Sequence, residues 1–232
     1  MSSLSITPIG AELLDDPAAD PGVVAESLHN IARANRWFGG SAAVRQGLRR
    51  TIGKLPPGTT LSLLDLGTGL GDLPRIATEW GAARGLRIVP VGLELNRAAA
   101  RLARRAGLRL AVACAGAPPV ADKSVDLILV SQLAHHLTND SIVHLLRTCD
   151  RLARRAVIVA DLRRHVLAPP SFWIGARLLG FDRVTVADGM TSVRRGFHER
   201  ELERLLIRAG ISGRVERRPG FRLVATWQPV SA

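Results

Sequence analysis

Leu63-Leu64-Asp65-Leu66-Gly67-Thr68-Gly69-Leu70-Gly71-Asp72 sets an apolar run, an acid and three alternate glycines directly before the start of a helical pattern. Glycines at such a turn allow positive φ and let backbone approach a ligand closely, and the helix that follows offers unpaired amides. A dinucleotide-binding turn places its third glycine one residue later, where this chain has Asp72. The spacing therefore argues against a pyrophosphate. It fits a zwitterionic ligand whose ammonium meets Asp65 or the carbonyls beside it, while the loop of Gly67, Thr68, Gly69 and Gly71 takes its other polar groups.

Outward from this turn, short apolar runs alternate with helical patterns. LSLLDL, RIVPVGLEL, LRLAVAC, VDLILVS and AVIVAD read as five strands, with helices starting near Asp72, Asn96 and Asp140. Runs without polar alternation are those of strands buried on both faces, so a parallel sheet covered by helices on both sides is expected. The second strand ends at Glu94, where a carboxylate can accept charge-assisted hydrogen bonds from both hydroxyls of a ribose. Its alternative use is to cap the helix near Asn96.

Before the first strand, residues 1–20 read as a loose leader. A helix is expected from Val23 to about Arg36 and a second from Ser41, as N-cap, to about Gly53. After Asp161 the rhythm breaks until a helix resumes near Glu199, and the 162–198 stretch reads as a cap over a substrate pocket. ISGRVERRP and FRLVATW around Pro219-Gly220 read as a terminal hairpin. The division expected is 1–58, leader and lid helices, and 59–232, the catalytic domain with its cap insertion.

Composition bounds the function. The chain has 232 residues, 47% apolar and 22% charged, and no apolar run near the ~18 residues a membrane span needs. Cys114 and Cys149 suit neither a disulfide framework nor a metal site, and the N-terminus lacks the pattern of a signal peptide, so a cytoplasmic location is expected. The net charge is +12, and Lys54 and Lys123 are the sole lysines among 32 basic residues. The arginines are spread over nearly every expected helix, unlike the clustered lysine and arginine of a nucleic-acid face. Attraction of RNA, phosphorylated metabolites or an acidic carrier is the functional alternative.

Residues 61 to about 161 resemble the class I S-adenosylmethionine-dependent methyltransferases. DLGTGLGD is similar to their first motif, Glu94 to their ribose acid and PVADKSVD to their approach to the fourth strand. SQLAHHL and DGMTSVRRGFHERELERLLIRAG resemble small-molecule methylases of the quinone-biosynthesis and phenolic O-methylating groups. The resemblance implies an α/β, Rossmann-like seven-stranded sheet with helices on both faces, the last strand antiparallel, and a helical N-terminal lid. It implies S-adenosyl-L-methionine as cofactor, with the adenine near Leu95 and against Cys114-Ala115. Relatives have an acid where Cys114 stands, so backbone groups of Ala115 and Gly116 are expected to hold the ring. The lid helix closes over the cofactor in similar methylases, which makes Arg36 a candidate for its carboxylate and Trp37 a lid residue beside the acceptor.

Ser131-Gln132-Leu133-Ala134-His135-His136 lies where the fourth strand opens toward the cofactor's methyl group, with Ser131 as a cofactor contact. Methyl transfer to a hydroxyl needs the acceptor held in line and its proton removed, and a histidine suits that task. His135 is favoured as the base, with His136 as a packing or supporting group. The adjacent histidines lack the spacing of a metal site, and none is expected. In the cap, Phe172 and Trp173 are candidates for an apolar acceptor pocket and Arg194-Arg195 for an anionic or phenolate oxygen, with Arg194 taken as the substrate contact. The expected activity is O-methylation of a small aromatic, quinol or polyketide-like hydroxyl. The alternatives are C-methylation of a quinol ring, RNA methylation, and cofactor binding without catalysis. A homodimer is a further expectation.

Overall fold

The computed structural model describes residues 4–8, 10, 12, 13, 16 and 18–229. The remainder of the leader expected over 1–20, residues 1–3, 9, 11, 14, 15 and 17, lies outside the described residues, as do 230–232. Seven strands form one sheet: β1 (Thr60–Leu66), β2 (Arg87–Glu94), β3 (Leu110–Val112), β4 (Val125–Ser131), β5 (Ala153–Leu162), β6 (Arg214–Arg218) and β7 (Arg222–Trp227). Their order is β3-β2-β1-β4-β5-β7-β6. The first five run parallel, and β7 is antiparallel to both β5 and β6. From β1 the chain first builds outward to β2 and β3 and then returns to the other side with β4. The strand order therefore reverses between β1 and β4, and the crevice beyond their carboxyl ends is where an open α/β sheet binds ligands.

Period-two alternation explains why both faces are covered. Leu64, Leu66, Ile128, Val130, Val157 and Val159 point into one core, shared with α5 (Asn139–Leu152) and α8 (Glu199–Ala209). Leu61, Leu63, Leu127, Leu129, Ala156 and Ile158 point into the other, shared with α2 (Gly40–Ile52) and α3 (Asp72–Ala82). In α5 the buried Ile142, Leu145, Leu146, Cys149 and Leu152 recur at three and four residues, the apolar stripe of a surface helix. Fully burying a leucine or isoleucine is worth about 1.5–3 kcal/mol, so these two layers hold the sheet edges that carry the site. No helix among the described residues is long and apolar enough to cross a membrane.

Three expectations change in detail. The third strand is three residues long, because Leu108 packs toward Gly71 and Gly92 instead of extending the ladder. The N-cap of α2 is Gly39 at φ 84°, not Ser41. A Cβ there would lie 2.5 Å from the Pro219 carbonyl oxygen of the β6–β7 turn, so only glycine lets that turn seat. The 162–198 segment is itself helical, as α6 (Ala168–Leu178) and α7 (Arg183–Arg195). Phe172 packs edge-on against Phe38 at 5.7 Å, and Phe38 meets Phe181 at 6.4 Å, which fastens the cap to the end of α1 (Pro21–Trp37).

The leader is the largest departure. Ile6 bridges Leu137 antiparallel, Thr7 N donates to the His136 carbonyl at 2.7 Å and Thr138 N to that of Ser5 at 2.9 Å. Glu12 is 8% exposed. A segment with few apolar residues gains its order from backbone pairing and one buried charge, neither of which leaves a periodic trace.

Candidate active site

The glycine loop leaves β1 and enters α3 with Gly67, Gly69 and Gly71 at φ 75°, 53° and 78°. Gly71 is the N-cap of α3 and makes no side-chain cap, and the Asp72 carboxylate takes the amides of Asp72 and Leu73 in the first turn. Glu94, at the end of β2, accepts from Gly69 N and Asn96 N, both at 2.9 Å. Each carboxylate oxygen spends one lone pair on the backbone and keeps another, and the side chain is only partly buried, so two adjacent hydroxyls can still be met. Leu95, one residue on, is 65% exposed. Cys114 closes a turn in which its sulfur accepts from Gly116 N at 3.4 Å, leaving Ala115 beside it half-buried. The glycine cradle, the free lone pairs of Glu94 and the exposed apolar edge together fit a nucleoside carrying an amino-acid end.

Asp65 does not face that cradle. It is 3% exposed and accepts from the Thr68 hydroxyl at 2.6 Å, and Thr68 likewise turns inward. Burial drives the Asp65 carboxyl up to about 7, against the Thr68 hydrogen bond, with the Asp72 and Glu94 charges adding to the rise. A carboxyl raised from its unfolded value holds its proton in the native state between roughly pH 4 and 7, so stability falls as pH rises through that window. The apo protein is accordingly expected to lose melting temperature between about pH 4 and pH 7, and Asp65→Asn to lack this loss. Parallel melting curves for the two proteins across that range would place the effect elsewhere.

Beyond β4, Gln132 adopts φ 51°, a region costly for a non-glycine residue, and is held there by its contacts. Its amide donates to Asn35 Oδ1 and its side-chain carbonyl accepts from Arg222 Nη1 at 2.9 Å. Asn35 in turn donates to Asp72 at 3.0 Å, and Arg222 to the Phe38 carbonyl at 3.0 Å. This network ties the end of α1 to the glycine loop, to β4 and to β7. Arg222 is buried, which lowers its guanidinium to about 10 against the opposing pull of Asp161. Ser131 is also buried and turns its hydroxyl to the Ala160 carbonyl at 3.3 Å.

His135 and His136 form a single 3₁₀ turn, Ala134–His136, with ring centroids 4.3 Å apart. His135 is 3% exposed, and its Nδ1 lies 2.6 Å from Asp161 Oδ1 at the end of β5. Asp161 also accepts from Leu162 N at 2.7 Å, Ala134 N at 3.0 Å and, more weakly, His135 N at 3.4 Å. Burial alone would raise the Asp161 carboxyl. The His135 charge and hydrogen bond, the Leu162 amide and His136 outweigh it and hold Asp161 below the usual carboxylate range. An ionised acceptor-only carboxylate forces the proton of neutral His135 onto Nδ1, leaving the lone pair on Nε2. That Nε2 is buried and has no hydrogen-bond partner among the described residues.

A Glu12 oxygen and one ring nitrogen from each of His135 and His136 lie within 4.8 Å of one another, a grouping with the donor types of a metal site. The hydrogen bonds assign it differently. Arg195 Nη1, which can only donate, meets His136 Nδ1 at 3.2 Å, so neutral His136 carries its proton on Nε2, facing Glu12 Oε2 at 3.7 Å. In this arrangement His136 offers a proton where a metal would need a lone pair.

Several expected contacts fall one residue away. Arg36 is exposed and stacks over Trp37 at 5.7 Å, and Trp37 is 64% exposed, whereas Asn35 is buried and bound to Asp72 beside the glycine loop. Arg194 is exposed, whereas Arg195 is buried beside the histidines. On a helix each step turns the side chain by about 100°, so neighbours face different ways. Trp173 is 47% exposed under Arg177, and Phe172 is spent on packing, so neither lines the cavity beside His135. That cavity, of about 500 Å³, is lined by Thr7, Pro8, His135, Arg195 and Phe197 among others. Asp161 carried a legible signal, an acid ending an apolar strand as Asp65 and Glu94 do; Asn35, Gln132, Arg222 and Glu12 carried none.

Residues 64–160 match the model of a methyltransferase domain. A search of curated proteins finds no match. Among solved structures, the plantazolicin methyltransferase BpumL in complex with SAH superposes with a TM-score of 0.67 at 15% identity, over 94% of this chain and 93% of that one. A putative O-methyltransferase from Nostoc punctiforme gives 0.62 at 17% identity, over 96% of this chain and 64% of that one. An SAM-dependent methyltransferase from Aquifex aeolicus gives 0.59 at 18% identity, over 91% and 99%.

Proposed function

We infer that this chain, whose residues 64–160 match a methyltransferase domain, is a class I S-adenosylmethionine-dependent methyltransferase that transfers the methyl group to a hydroxyl of a small aromatic, quinol or polyketide-like acceptor. The observation that carries the reading is the buried, unpartnered Nε2 of His135, with its tautomer set by Asp161 at 2.6 Å. When bound, the cofactor supplies a methyl group on a positively charged sulfur, which needs no further activation. The chain's own residues then have three tasks. The glycine loop and Glu94 hold the nucleoside and its amino-acid end. Asn35 and Gln132, bound to each other, close the end of α1 over the loop and keep water from the crevice. His135 Nε2 accepts the proton as the acceptor oxygen attacks, and Asp161 stabilises the imidazolium that results.

Proton removal at this nitrogen is what a hydroxyl acceptor requires, since a neutral hydroxyl is a poor nucleophile. An activated quinol carbon would use the same base, so C-methylation is the competing outcome of the assay. Incubation with isotopically methyl-labelled cofactor and a panel of phenols, quinols and hydroxy acids is expected to give product in which the label sits on oxygen, read by magnetic resonance. Label on a ring carbon would replace the O-methyl reading, and absence of product across the panel would favour a binding protein.

A further inference from the structure

The side chains around Glu12 form a receptor for a carboxylate. Arg195 Nη1 donates to Glu12 Oε1 at 3.0 Å, the Ser192 hydroxyl to Oε2 at 2.8 Å, and the His136 Nε2 proton faces Oε2 at 3.7 Å. The Arg195 side chain is fully buried and that of Glu12 is 6% exposed. Ser192 and Arg195 come from α7 and His136 from the turn after β4, so the donors stand on the cap and the sheet rim. Glu12 arrives from the leader, which is fastened alongside by the Thr7–His136 and Thr138–Ser5 backbone bonds, by Arg195 Nη2 on the Gly10 carbonyl at 2.8 Å and by Leu13 N on Asp188 at 3.0 Å.

Two features make this more than a tether. The occupying carboxylate lies within 4.8 Å of a His135 ring nitrogen, the residue that carries the unpartnered Nε2. The cavity of about 500 Å³ is walled by both His135 and Arg195 on one side and by the leader's Thr7 and Pro8 on another, a volume within the usual range of small-molecule sites. A guanidinium, a hydroxyl and an imidazole N–H converging on one carboxylate, beside a basic lone pair and room for a ring, match a molecule that carries both an acid and a nearby hydroxyl.

We propose that the acceptor is a compact hydroxy acid whose carboxylate takes the place of Glu12 on Arg195, Ser192 and His136, so that the leader's Glu12 is a built-in competitor for the acceptor site. The placement of the acceptor hydroxyl against His135 rests on the function proposed above; the carboxylate receptor does not. Entry of the acid releases Glu12 into water, where its carboxylate is solvated, and puts an equal charge on the same donors.

The test is calorimetric binding of salicylate and 3-hydroxybenzoate, with their methyl esters as controls, to protein saturated with the demethylated cofactor. Glu12→Ala is expected to bind the acids about tenfold more tightly than wild type, with ester affinity unchanged, since the loss of one internal charge-assisted competitor is worth about that factor. Ser192→Ala and Arg195→Lys are expected to weaken the acids about fivefold to tenfold without moving the esters. The proposal is overturned if Glu12→Ala leaves acid binding unchanged or weaker, or if acid and ester shift together in every variant, as a purely structural ion pair would require. A folding defect in Arg195→Lys leaves the Glu12 and Ser192 arms to decide. Acid preference without methylated product would remove the His135 reading alone, and product without acid preference would remove the carboxylate receptor alone.

Discussion

His135→Ala is expected to lower turnover by about 10² to 10⁴ at saturating acceptor, the range typical of general-base assistance, with calorimetry expected to return an unchanged dissociation constant for the demethylated cofactor. The size follows from geometry. In neutral His135 the lone pair lies on Nε2, which is buried where competition from water is small, and the ring's orientation is set by a carboxylate that also accepts from the amides of Leu162 and Ala134. Asp161→Asn separates a base from a packing residue. The amide can donate to Nδ1, which moves the imidazole proton to Nε2 and removes the acceptor lone pair without removing the ring. Turnover should then fall nearly as far as in His135→Ala, with cofactor affinity intact and the acidic limb of the pH–rate profile lost. His136→Ala keeps the Nε2 lone pair of His135 and should lose far less. Equal turnover in wild type, His135→Ala and Asp161→Asn would leave proximity alone as the mechanism.

Glu94→Ala gives the second large effect and the opposite split. Two charge-assisted hydrogen bonds to ribose hydroxyls are worth about 1.5–3 kcal/mol each. Partial exposure of Glu94 discounts them, and the dissociation constant of the demethylated cofactor is expected to rise about 100-fold, with turnover at saturating cofactor little changed. The variant also frees the Gly69 and Asn96 amides that Glu94 now holds at 2.9 Å. Its apo melting temperature must therefore be measured beside the affinity. Glu94→Gln retains one acceptor and should fall between the two. An affinity within twofold of wild type in Glu94→Ala would mean that the sugar is held elsewhere.

The two effects sit on different elements for a reason. Glu94 ends β2 and His135 follows β4, on opposite sides of β1 in the sheet. The function proposed above therefore has cofactor and acceptor meet across the point where the strand order reverses, each with its own anchor. Asn35 and Gln132 bridge the two sides, and the buried Arg222 on β7 holds Gln132 in its strained conformation.

Much of this was legible before the fold was known. Strands buried on both faces declare themselves as unbroken apolar runs, and an acid that ends such a run has no core role, so Asp65 and Glu94 stand out without a structure. The glycine turn is readable because positive φ leaves few alternatives to glycine. The two histidines were visible as a pair, but not which would be oriented. That choice depends on Asp161, 26 positions away, whose carboxylate meets His135 and not its neighbour.

The chain by itself determined the sheet, its helical cover, the glycine turn that leaves β1 and the acid that ends β2, because each rests on local periodicity or on backbone chemistry confined to a few residues. The tertiary structure alone decided that Asn35 rather than Arg36 and Arg195 rather than Arg194 face inward, that Asp65 is turned to the Thr68 hydroxyl, and that the leader delivers Glu12 to the histidines. These depend on the rotation of helices against the sheet and on side-chain contacts such as Asn35 with Gln132, 97 positions on, and Glu12 with Arg195, 183 positions on. Such contacts follow from the packing of the whole chain and leave no repeating mark along it.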